Sequence, residues 1–124
     1  MALMIANEHP VARIMHRCEL CARLIQPGER YNRQRFIGDD GPYVFKDCAH
    51  CEATVKILNE IEGDWYDSEF GYSTYDLAEL EPSTIQAARL KIMWKRQWRR
   101  RDRDLYPVPE PLFRPAEAPN GGAR

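Results

Sequence analysis

Cys18-Glu19-Leu20-Cys21 and Cys48-Ala49-His50-Cys51 contain every cysteine in the chain. A Cys-x-x-Cys turn bends the backbone so that both sulfurs face one point. Two such turns supply four thiolates, the ligand set of a tetrahedral structural zinc site with Zn–S distances near ~2.3 Å. Two disulfides, or four free buried thiols, are the rival reading. Against it, Ala2-Leu3-Met4-Ile5-Ala6 is too short for the apolar core of a secretory signal and follows no basic residue, so a cytoplasmic, reducing setting is expected. A thioredoxin-like redox role would need a βαβ pattern around one pair, and neither pair has it. His16 and His50 flank the ligands, but four thiolates already complete the shell. A closed shell leaves no open coordination position, so the expected ion is one structural Zn²⁺.

Outward from the cysteines, Pro27-Gly28 is a turn signal after the first pair. Residues 29–37 and 43–47, rich in aromatic and β-branched side chains, read as paired strands around the turn chemistry of Gly38-Asp39-Asp40-Gly41-Pro42. Arg30, Arg33 and Arg35 then fall on a solvated strand surface. After the second pair, Cys51, Val55, Leu58 and Glu62 recur at helical spacing, with Ile57 and Ile61 beside them. Asp47 is the expected N-cap and Gly63 the stop. Cys48 and Cys51 would lie in the first turn, where free N–H groups and the helix dipole favour thiolates.

Knuckle, hairpin and a helix bearing the last two ligands resemble the treble-clef family of zinc fingers, over residues 18–63. The choice of treble clef over zinc ribbon rests on the expected helix. The fold class expected is a small α+β zinc-binding domain with a further long, basic C-terminal helix. The resemblance fixes no single activity, because many functions use this fold.

Three regions are expected: a zinc-binding part over 1–63, an acidic aromatic loop and basic helix over 64–106, and a proline-rich tail over 107–124. Within the first, residues 11–15 suggest a short strand. Between Glu52 and Glu81 nine carboxylates face one cation, Lys56. A short helix over 76–81 capped by Thr74 fits there. Ser83 would cap a helix running to about Arg103, with Trp94 and Trp98 near one stripe and Arg89, Lys95, Arg96, Arg99, Arg100 and Arg103 on the other side. Pro107, Pro109, Pro111, Pro115 and Pro119 then forbid helix.

With 124 residues and a formal net charge of −1, overall charge points to no partner. No apolar run is long enough to span a membrane. Two readings of function remain. In one, the arginines of the last helix neutralise nucleic-acid phosphates, with Trp98 either stacked on a base or, more in keeping with its spacing, anchored in the core. The acidic stretch upstream offers the same cations a partner within the molecule. In the other, Trp65, Tyr66 and Phe70 of the acidic loop, or the proline tail, dock on a protein. The overall pattern resembles small zinc-finger proteins of bacteriophage genomes, which implies a host-regulator or anti-defence role. An enzyme is not expected. HNH-type treble-clef nucleases carry a catalytic histidine on the hairpin, whereas this chain has His9, His16 and His50, none of them within 29–47. No phosphate loop or Ser/His/Asp set appears, so no small-molecule substrate is expected.

Overall fold

The computed structural model describes residues 3–63, 65–66 and 72–110. The expected hairpin forms. Strands β4 (Tyr31–Gly38) and β5 (Gly41–Cys48) pair antiparallel from Tyr31↔Cys48 to Gly38↔Gly41. Asp39-Asp40 makes a two-residue turn, and Gly41 leaves it at φ 112°, a conformation that suits glycine. β1 (Leu3–Glu8) adds to the other edge of β4, giving the order β1-β4-β5, with a bulge between Met4 and Ala6. Glu8 on β1 pairs with Arg33 at 3.6 Å and Arg35 at 3.8 Å, so these arginines are surface charges of the sheet.

The strand expected over 11–15 does not form. Val11 makes one isolated bridge to Arg30. The chain then enters a separate ribbon of β2 (His16–Arg17) and β3 (Leu24–Ile25), with the first cysteine pair at its tip.

Helix α1 (Ala49–Glu62) follows β5 directly and ends at Gly63, φ 71°, as its glycine indicates. Its N-cap is Cys48, without a side-chain cap bond. Asp47, the expected cap, is instead buried at the end of β5. It accepts from Asn32 Nδ2 at 2.8 Å and Tyr72 O–H at 3.2 Å. Burial, only partly offset by these two donors, pushes its carboxyl up to about 7. α2 (Thr74–Glu79) is capped by Ser73, one residue before the expected Thr74. Thr74 Oγ1 reaches the carbonyls of Glu19 and Leu20 at 3.0 and 3.1 Å and fastens α2 to the first cysteine turn.

α3 (Ile85–Lys95) starts at the cap Thr84, whose side chain accepts from Ala87 N. It stops eight residues short of Arg103. Trp98 N–H donates to Met93 O and Gln97 N–H to Trp94 O, both at 2.9 Å, while Gln97 turns left-handed at φ 56°. That is a Schellman ending, normally announced by glycine. Glutamine gives no such signal. What holds the ending is Trp98, fully buried although its own φ is 62°. Arg99 then bridges to Leu105, and Arg100 N–H donates to Asp104 O, so residues 99–105 double back as a tight hairpin.

One apolar core joins these parts. Ala12, Leu20, Ile25, Tyr31, the four cysteines, Val55, Leu58, Leu77, Leu90, Trp94 and Trp98 belong to a single buried cluster. The second region therefore packs on the first. Of the proline-rich tail, residues 111–124 lie outside the described residues.

Candidate metal centre

The first cysteine turn is shaped by its own backbone. Cys18 N–H donates to Arg23 O and Ala22 N–H to Cys18 O, at 2.8 and 2.9 Å. Ala22 takes φ 68° to close the loop. Leu20 N–H and Cys21 N–H then both point at Cys18 Sγ, 3.4 Å away. The second pair joins two elements. Cys48 ends β5 and its N–H also reaches Cys18 Sγ, at 3.3 Å, while Cys51 lies in the first turn of α1.

All four sulfurs are buried and lie within 4.8 Å of one another. Cys18 and Cys51 are 3.7 Å apart and Cys21 and Cys48 3.9 Å, and none is in a disulfide. A tetrahedron with metal–sulfur bonds of ~2.3 Å has edges of about 3.8 Å, whereas a disulfide needs about 2.05 Å. The cluster therefore has the dimensions of a tetrathiolate metal site.

Its electrostatics ask for a cation. Hydrogen bonding with Cys21 draws the Cys18 thiol down, and with Cys18 that of Cys48. The same contact with Cys18 holds Cys21 up, and burial pushes Cys51 up. A divalent cation at the centre lets all four ionise. Four thiolates still exceed its charge by two. Arg23 offsets part of this excess: it is 2% exposed, grips Glu29 at 3.0 and 3.1 Å, and lies in the field of Cys48. Burial works against both members of the pair. Even so, Glu29 and Cys48 keep Arg23 charged, and Arg23 with the Gln26 N–H holds Glu29 below its usual range.

Three further contacts were not legible from spacing. Trp98 Nε1–H points at Cys51 Sγ, 3.4 Å away, and its ring stacks on His50 at 5.7 Å. His50 Nε2 meets Tyr106 O at 2.6 Å, so the chain beyond the turn is fastened over the centre. His50 and His16 both stay outside the sulfur cluster. His16 packs on the Tyr31 ring, and burial together with Lys46 and Arg33 holds its imidazole below the usual value.

The cationic candidates are divided between α3 and the turn beyond it. Arg89 is exposed on α3, Lys95 is its last residue and Arg96 its C-cap. Arg99, Arg100 and Arg103 lie on the 99–105 hairpin, not on a helix. Arg99 Nη1 donates to Arg103 O at 2.9 Å, and Arg100 sits over the Tyr106 ring at 5.3 Å. Among the described residues, no ion pair joins a carboxylate of 52–81 to any of these cations. Lys91 is already engaged with the Ala78 and Leu80 carbonyls.

Of the aromatic candidates, Trp65 and Tyr66 are half-buried and stack edge to face. Tyr66 meets Tyr72, which meets Phe45, and Trp65 Nε1–H donates to Asn59 at 2.8 Å. These rings serve the protein's own packing. Phe70 lies outside the described residues. Trp98 is a core residue and offers no free face to a base.

No protein-family model, no curated protein and no solved structure matches the chain. Among the described residues, no helix is long and apolar enough to cross a membrane.

Proposed function

We propose that the chain is a zinc-stabilised binding module of treble-clef type, without catalytic activity, that binds nucleic acid through the cationic segment from Arg89 to Arg103. Zinc is the ion best suited to four thiolates at tetrahedral spacing. The order of parts, a cysteine turn on a ribbon, a hairpin and a helix carrying Cys51, supports the treble-clef relation. A complete tetrathiolate shell argues against metal catalysis. Thiols kept as ligands suit a reducing compartment such as the cytoplasm.

One observation carries the nucleic-acid reading. Lys95, Arg96, Arg100 and Arg103 are exposed, have no ion-pair partner among the described residues, and lie at the end of α3 and on the turn anchored by buried Trp98. A fixed array of unpaired cations suits phosphates. Fluorescence anisotropy with random-sequence DNA and RNA tests it. Affinity should fall steeply with salt, and Ala at Arg96, Arg100 and Arg103 together should flatten the log–log slope by about 2–3 on duplex DNA. No binding at low salt refutes the reading.

The competing reading, a bacteriophage-type regulator that docks on a host protein, gains from a different surface than Trp65 and Tyr66. Leu3, Ile37 and Val44 are exposed on one face at the far end of the three-stranded sheet, and Met4 and Tyr43 on the other. A pull-down run with and without nuclease separates the two, since protein capture that survives nuclease favours this second reading.

A further inference from the structure

A cleft of about 290 Å³ opens beside the first cysteine turn, where that turn meets the end of α3. Leu20, Ala22 and Trp94 give it apolar walls, and Glu19, Lys95 and Gln97 stand among its lining residues with polar groups. We propose that this cleft seats one unpaired nucleobase, so that the nucleic acid bound is single-stranded. The proposal rests on the nucleic-acid reading above and narrows its ligand class.

Three observations carry it. The first is size: the volume is at the small end of ligand sites, enough for one ring system and too little for a larger ligand. The second is lining. An apolar slot suits the faces of a base, while its edge needs donors and acceptors. Lys95 supplies a donor, Gln97 an amide whose nitrogen already donates to Cys21 O at 3.1 Å and whose oxygen remains as an acceptor, and Glu19 a carboxylate of which one oxygen is taken by Lys46 N–H. The third is continuity. Lys95 and Gln97 bracket Arg96, so the residues that line the cleft also begin the cationic turn. A base entering here leaves its own phosphate next to positive charge. In a duplex the faces of a base are covered by its neighbours, and only a single strand offers them without unpairing. An aromatic side chain of a protein would fill the same space, but the surrounding cations favour a polyanion.

The test compares three labelled ligands of equal length at one salt concentration: a single-stranded DNA 12-mer, its hairpin duplex, and a fully abasic 12-mer. The single strand should bind roughly tenfold more tightly than either of the others. Thr74→Trp, which puts an indole at the cleft wall, should abolish that preference and leave the salt slope unchanged. A 4-thiothymidine 12-mer, irradiated with the unaltered protein, should crosslink to residues 19–22 or 94–97. Equal affinity for the three ligands overturns the base-binding cleft while leaving phosphate binding intact, and so does crosslinking elsewhere or a preference that survives in a folded Thr74→Trp protein. Binding to none of them overturns both readings.

Discussion

The indole of Trp98 is fully buried and directs its N–H at the Cys51 sulfur. Trp98→Phe keeps a ring in place and removes that donor. It should cost about 1–2 kcal/mol in chemical denaturation, with metal stoichiometry unchanged and faster loss of metal to a competing chelator. Arg23 is the second residue on which the centre leans. Arg23→Met leaves Glu29 without its partner and removes the buried positive charge that interacts with Cys48. A loss of about 3 kcal/mol is expected, at the low end for a broken buried pair because Glu29 reaches water. Stability within error of the parent would show that the pair is dispensable. The four ligands were legible because cysteine spacing is itself the geometry. Arg23 and Trp98 were not, since nothing local distinguishes a buried arginine or a sulfur-bound indole from a surface one. Their roles arise from contacts between segments far apart in the chain.

Among the elements, the hairpin and α1 could be read from the chain. Turn residues, β-branched pairs and the glycine stop agree with the tertiary structure there. Gly63 takes φ 71° and ψ −123°, and a Cβ at this position would meet nothing within 4 Å. Gly63→Ala should therefore cost about 1–3 kcal/mol through backbone strain alone, visible as a lower midpoint in thermal denaturation. α3 was read too long for an equally local reason. Residues 96–103 are mostly good helix formers, and no glycine or proline marks a break. Burial of Trp98 against α1 overrides that propensity. β1 was missed because its apolar and polar residues do not alternate and its partner is the distant β4. The caps fell one residue from the expected positions, since neighbouring Ser, Thr and Asp offer equivalent oxygens.

For the molecule as a whole, the single core runs through the sulfur cluster, so removing the metal should unfold more than one segment. Protein purified without chelator should carry one zinc per chain by elemental analysis. Stripping it should collapse the circular dichroism of α1 and shift tryptophan emission to the red as Trp98 meets water. Unchanged spectra after confirmed removal would rule out a structural role. Acid should act in the same direction. Metal-bound thiolates hold their pKa values below the ~8.5 of an unfolded cysteine, so their contribution is present above that value and is lost as pH falls through the bound range, with protons taken up as metal leaves. The path of the chain also sets an order of events. All four ligands have been made once Cys51 is synthesised, but the indole that covers its sulfur follows 47 residues later. On the ribosome, a nascent chain can capture its ion and still leave one face of the cage open to solvent, glutathione and oxidants. The late-arriving tryptophan would be the lid over that face, so a chain cut short before Trp98 should lose a bound ion to a chelator faster than the full chain.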